Sequence, residues 1–193
     1  MLKIGLTGGM GSGKSLIAEV FKVLKVPVFN SDLVSKNILM SNPEARKEVI
    51  ENFGEAILSN DEIDRKKLAE VVFNDARKLE KLNAILHPKV GQYFEYWVQE
   101  NQQADYVIKE AAILFESGAY KSVDKVICVS ALEALRIKRV MRRDKIDKEA
   151  VESRLKKQWT DEEREKKSDF IIQNTTERLM PQILEIDSIL RKF

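Results

Sequence analysis

The chain has 193 residues, 44% of them hydrophobic and 33% charged, with 8 Gly and 4 Pro. That balance excludes a disordered, collagen-like or low-complexity protein and leaves enough apolar residues for one sizeable core. The formal net charge of +2 selects no partner, and the single cysteine, Cys128, excludes an internal disulfide. No apolar run approaches the ~20 residues of a membrane span, and Met1-Leu2-Lys3-Ile4 opens no secretory leader, so a cytoplasmic location is expected.

A first strand is expected over Leu2 to Thr7. Gly8-Gly9-Met10-Gly11-Ser12-Gly13-Lys14-Ser15 follows, a full match to G-x-x-x-x-G-K-[ST]. A helix over Ser15 to Leu24 comes next, with Ile17, Ala18, Val20, Phe21 and Leu24 as its apolar face. This strand-loop-helix setting is what a phosphate cradle needs. Glycines let successive N–H groups point inward, and the helix N-terminus adds the positive end of its dipole. Lys14 can reach the β- and γ-phosphates as a point charge, and the Ser15 hydroxyl can ligate Mg²⁺. Gly11, Ser12, Gly13, Lys14, Ser15 and Leu16 are the expected ATP-binding residues. The loop names a nucleotide phosphate and not a reaction; the Asn-Lys-x-Asp motif of Ras-type GTPases is missing from the sequence.

A second strand, Val26 to Phe29, closes on Asn30-Ser31-Asp32. Carboxyl ends of parallel strands face the ligand crevice. Asp32 therefore reads either as general base for an attacking hydroxyl or as the cap of the next helix. Residues 32–103 show no convincing strand but several helical starts: Pro43 in a first turn, Asp64 and Asn74 as caps, Pro88 opening the last helix. This insertion is expected to pack on the core as a helical lobe.

Further strands are expected over Tyr106 to Glu110, Lys125 to Val129 and Phe170 to Gln173, apolar on both alternations and so covered on both faces. A parallel sheet between helices follows. Cys128 falls in the apolar run of the second of these and is expected to be a core thiol. Glu110 reads either as support for Mg²⁺ through water or as a buried strand terminus with a structural partner. Helices are expected over Leu132 to Arg143, Lys148 to Trp159 with Asp147 as N-cap, and Thr176 to Arg191; Thr160 with Glu163 forms a capping-box pattern. Residues 136–167 hold 13 Lys/Arg against 8 Asp/Glu. That excess reads as a solvated helical face or as a surface that meets phosphate.

Over essentially its whole length the chain resembles the dephospho-CoA kinase family. The resemblance is carried by Leu6-Thr7 with the phosphate loop, the acidic site after the second strand, Arg65, Leu68 and Phe73, and Leu86-His87-Pro88. It continues through Leu114-Phe115-Glu116, Lys138-Arg139, Arg143-Asp144, Gln158, Asp169 and Asn174. It implies a three-layer P-loop NTPase-type α/β fold with a five-stranded parallel sheet. The nucleotide-binding core would be residues 1–31, 104–135 and 168–193, with a helical CoA-substrate domain at 32–103 and a basic lid at 136–167. The implied reaction is ATP-dependent phosphorylation of the ribose 3′-hydroxyl of dephospho-CoA, the last step of coenzyme A biosynthesis, with Mg²⁺ accompanying ATP and no nucleic-acid or membrane partner.

By position in that family, Asp32 is the base, Asp32 and His87 meet the acceptor, and Lys14, Arg139 and Arg143 complete the catalytic set. Three departures stand out. Asn30-Ser31-Asp32 replaces Asp-Ala-Asp, Glu110 replaces an aspartate, and Thr175 follows Asn174 where the family prefers glycine. From the residues alone, His87 also reads as a helix-opening residue before proline, and Arg65 as an exposed first-turn residue. Two other functions fit the loop: another small-metabolite or nucleotide kinase, and a regulatory or RNA-associated protein that uses ATP as a switch. The lack of interleaved aromatics between Arg136 and Lys157 argues against a surface that stacks single strands.

Overall fold

The computed structural model describes residues 1–73, 75–156, 158–175 and 178–193, with only the backbone at Phe73 and Ala76. The strands are β1 (Leu2–Thr7), β2 (Val28–Asn30), β3 (Leu58–Ser59), β4 (Glu62–Ile63), β5 (Tyr106–Glu110), β6 (Lys125–Ser130) and β7 (Phe170–Gln173). The α-helices are α1 (Lys14–Val23), α2 (Ser31–Ser41), α3 (Pro43–Phe53), α4 (Arg65–Phe73), α5 (Ala76–Glu100), α6 (Glu133–Asp144), α7 (Lys148–Leu155), α8 (Asp161–Lys166) and α9 (Leu179–Leu190). They divide into two units, Met1–Asn30 with Trp97–Phe193, and Ser31–Tyr96.

The first unit is built on a five-stranded sheet of order β2-β5-β1-β6-β7, every neighbouring pair parallel. All five residues of β5 are buried, as an apolar run covered on both faces requires. With β1 central, the loop after Thr7 leaves from the middle of the sheet's carboxyl edge. The register sets Glu110 beside both Leu6 and Asn30.

One face of the core joins Ile4, Leu6, Ile17, Phe21, Tyr106 and Ile183. Phe21 meets Tyr106 edge-on, ring centroids 6.5 Å apart, and the Tyr106 hydroxyl donates to Asp187 Oδ1 at 2.6 Å. Burial first, and that carboxylate second, push the phenol above its ordinary pKa. Cys128 is buried on β6 as expected, and burial pushes its thiol up to about 12.

Helix ends follow their caps. Asp147 Oδ1 accepts from the Ala150 N–H at 2.8 Å, and Thr160 and Glu163 form the reciprocal capping box, 3.2 and 2.8 Å. α7 stops at Leu155, short of the expected Trp159, and Lys157 lies outside the described residues. Gln158 and Trp159 are engaged away from the helix axis. The Gln158 side chain accepts from the Met10 N–H at 2.9 Å, and Trp159 stacks on Phe115 with ring centroids 5.5 Å apart. α9 runs Leu179–Leu190, and the expected start at Thr176 lies outside the described residues.

In the second unit, Asn42 caps α3 by accepting from the Ala45 N–H at 2.9 Å, with Pro43 in the first helical position. Asp64 accepts from the N–H groups of Lys66 and Lys67 at 2.8 and 3.3 Å, which hold its carboxyl below the usual range. Asn74 lies outside the described residues; Asp75 accepts from the Arg77 and Lys78 N–H groups.

Two expectations are corrected here. The segment does contain strands: β3 and β4 form a minimal antiparallel hairpin, and Asn60 and Asp61 both take positive φ, 51° and 60°. That is the primed turn a two-residue hairpin uses. Pro88 does not open a helix but lies inside α5. The N–H it lacks would have served the Ala84 carbonyl, and both residues are exposed, so water can take that carbonyl. Among the described residues no helix is long and apolar enough to cross a membrane.

The register of β7 buries Ile172 fully and leaves Ile171 41% exposed. Ile172→Ala should therefore cost ~2–5 kcal/mol in denaturant unfolding, while Ile171→Ala should stay within ~0.5–1 kcal/mol; equal costs would mean a strand slipped by one residue.

Candidate nucleotide-phosphate site

The loop between β1 and α1 is held by donors to its carbonyls. Lys14 Nζ donates to Gly8 O at 3.1 Å, Asn174 Nδ2 to Ser12 O at 2.7 Å, and Arg139 Nη1 to the carbonyls of Gly11 and Ser12, both at 3.4 Å. Within the loop the Ser12 N–H donates to Gly9 O at 3.0 Å. Gly13 sits at φ 97°, and a Cβ there would collide with the Asn174 amide, so both backbone conformation and space demand glycine. Among the described residues the N–H groups of Gly11, Gly13 and Ser15 take no partner. With the carbonyls satisfied outward and these N–H groups unsatisfied at the start of α1, the loop is an anion nest.

A cavity of ≈ 220 Å³ opens on this nest, lined by Gly11, Gly13, Lys14, Ser15, Leu16, Arg139, Val140 and Arg143. The structure thus brings the two α6 arginines to the residues expected to bind ATP, with Ser12 buried behind them. The arginines differ. Arg139 also donates to Asn174 O at 3.1 Å and is tied to the loop, whereas Arg143 is mostly exposed and grips Asp144 at 2.7 and 3.1 Å. That hydrogen bond holds the Asp144 carboxyl below its usual range.

On the other side of the loop, Glu110 ends β5, 6% exposed. Its Oε1 accepts from the Ser15 hydroxyl at 3.0 Å and its Oε2 from Asn30 Nδ2 at 2.8 Å. No Lys, Arg or His among the described residues forms an ion pair with it. Both donors to this buried carboxylate are neutral, so its oxygens remain suited to accept a cation as well. Among the described residues no group of three His, Cys, Asp or Glu could hold a metal alone. One carboxylate and one hydroxyl beside a phosphate nest fit Mg²⁺, which is bound through few protein oxygens together with phosphates and water.

Asp32 and His87 fall in the second unit. Asp32 is in the first turn of α2, exposed, and its carboxylate takes no hydrogen bond among the described residues, so it does not act as a side-chain cap. His87 lies mid-way along α5, half-buried, and does not open a helix. Arg65 is the exposed first residue of α4; the Phe73 side chain lies outside what is described.

Sequence reasoning missed Arg136 and Asp161, which lie against Gly9 of the loop, and Arg164, which pairs with Asp161 behind them. Arg136 and Arg164 are buried, and each pairs with Asp161, at 2.9 and 3.2 Å. One signal was present, because Arg136 stands four residues before Val140 on the buried stripe of α6.

The dephospho-CoA kinase family model matches residues 2–179. A dephospho-CoA kinase of Bacteroides fragilis is 37% identical over 190 residues, covering 98% of this chain and 93% of that protein. One of Fusobacterium nucleatum is 40% identical over 174 residues, covering 90% and 89%. Among solved structures, a dephospho-CoA kinase from Campylobacter jejuni superposes with a TM-score of 0.72 at 30% identity, covering 98% of this chain and 97% of that one.

Asn174→Ala removes the strongest brace of the nest, the 2.7 Å bond to Ser12 O. The expected loss is ~1–3 kcal/mol of stability. ATP affinity by calorimetry should also fall about tenfold, and unchanged affinity would show that the loop does not depend on this brace.

Proposed function

The chain belongs to the dephospho-CoA kinase family, and from that premise we propose that it transfers the γ-phosphoryl group of ATP to the ribose 3′-hydroxyl of dephospho-CoA, giving coenzyme A and ADP. In phosphoryl transfer the protein's work is positioning and charge stabilisation. Lys14 and the N–H groups of Gly11, Gly13 and Ser15 bind the triphosphate. Arg139 and Arg143, on a lid of residues 136–167, offset charge on the transferring group, and their guanidinium forks match its oxygens. Ser15 and Glu110, the latter through water, would hold Mg²⁺, which when bound neutralises charge on the β- and γ-phosphate oxygens.

Asp32 is the base in this reading, accepting the hydroxyl proton and aiming the oxygen. Its exposed carboxylate, without a hydrogen-bond partner among the described residues, supports that role, as does its place directly after β2. His87 contributes to acceptor binding, and residues 32–103 form the domain that receives the CoA substrate. The observation that carries the proposal is the phosphate nest flanked by the buried Glu110, bonded to Ser15 and Asn30, in a chain that matches the family over residues 2–179.

A coupled ADP-release assay with dephospho-CoA beside AMP, CMP, shikimate and adenosine tests the acceptor, and turnover is expected with dephospho-CoA alone. In the same assay Asp32→Asn should lower kcat by about 10²–10⁴. ATP binding and melting temperature should stay near wild type. An unchanged kcat would remove Asp32 as base and pass the role to Glu110.

A further inference from the structure

We propose that Arg136 is a positioning residue for phosphoryl transfer, fixing the front turn of the phosphate loop, Gly9 to Gly11, through a buried chain of charges. The inference rests on the kinase reading above. The chain starts at Glu116, whose Oε1 accepts from Arg164 Nη2 at 3.0 Å and from the Trp159 N–H at 3.1 Å. Arg164, fully buried, donates through Nη1 to Asp161 Oδ1 at 3.2 Å, and Asp161 Oδ2 pairs with Arg136 Nη2 at 2.9 Å. Arg136 is itself only 5% exposed.

Its Nη1 lies so close over Gly9 that no Cβ would fit there, and its carbonyl lies 2.6 Å from the place a Gly11 Cβ would take. Gln158 takes the Met10 N–H from the same flank. The turn is thus enclosed by α6 and by the segment leading into α8, and neither can shift without moving it.

A buried ion pair adds little net stability over apolar groups of the same volume; what it fixes is geometry. The geometry matters in two ways. Arg139 follows Arg136 by three residues on α6, so the anchor that sets the turn also sets the arginine reaching Gly11 and Ser12. A cavity of ≈ 540 Å³ is lined in part by Arg136, Gln158, Trp159 and Asp161, so a loosened anchor would admit water to the layer that backs Gly9.

The test uses Arg136→Met and the double variant Arg136→Met/Asp161→Asn, which removes both charges of the pair. The expected result is a kcat for dephospho-CoA lowered about 10–100-fold. ATP affinity should stay within about threefold, because the N–H groups of Gly13 and Ser15 lie outside the turn that Arg136 fixes. Acceptor-independent ADP formation should rise as a share of turnover, and the double variant should melt within about 5 °C of wild type. A kcat within twofold of wild type overturns the inference. So does a joint fall of kcat, ATP affinity and melting temperature in both variants, or failure of both to fold, since each assigns the pair to stability. Wild-type turnover of dephospho-CoA in the same assay separates failure of this inference from failure of the kinase reading.

Discussion

A loop that turns its N–H groups inward for a phosphate must turn its carbonyls outward, and buried carbonyls need donors. Much of the first unit is arranged around that requirement. Asn174, directly after β7, serves Ser12; Arg139 on α6 serves Gly11 and Ser12; Lys14 turns back to Gly8. The sheet order makes this possible, because a central β1 has β6 and β7 on one side to bring up Asn174 and β5 and β2 on the other to bring up Glu110 and Asn30. The N–H groups of Gly11, Gly13 and Ser15, left without partners among the described residues, are those proposed to bind the triphosphate.

The same order separates charge across the loop. On the β2/β5 side stands a carboxylate with neutral donors only; on the α6 side stand Arg139 and Arg143. A metal-bound triphosphate needs both kinds of surface, the acid for its cation and the arginines for its oxygens. Glu110, with Asn30 as its amide partner, is the one buried carboxylate residue among the described residues. Two adjacent carboxylates would repel each other here in the absence of a cation.

Much of the core was legible in the sequence because its signals are local. β1, β5 and β7 carry apolar runs bounded by turn residues, Pro43 marks a first turn, and the caps Asp64, Asp147 and Thr160–Glu163 are short-range hydrogen bonds written into three or four residues. The hairpin of β3 and β4 was not legible, since two-residue strands show no period and its turn uses Asn60-Asp61 rather than a glycine pair. Pro88 misled because whether a helix tolerates proline depends on solvent at one carbonyl. The site divides the same way. The motif announced the nest, but the Glu110 to Asn30 bond and the Arg136, Asp161, Arg164 chain join residues up to 80 positions apart, which only the fold brings together.

The claim that the loop is preformed by these braces is tested most directly by amide hydrogen exchange of the nucleotide-free protein. The Met10 and Ser12 amides, bonded to Gln158 and Gly9, should exchange far more slowly than in an unfolded chain. Those of Gly11, Gly13 and Ser15 should exchange fast and become protected only when ATP is added. Met10 and Ser12 exchanging at unfolded-chain rates without nucleotide would contradict the account, because the loop would then be ordered by its ligand rather than by the fold.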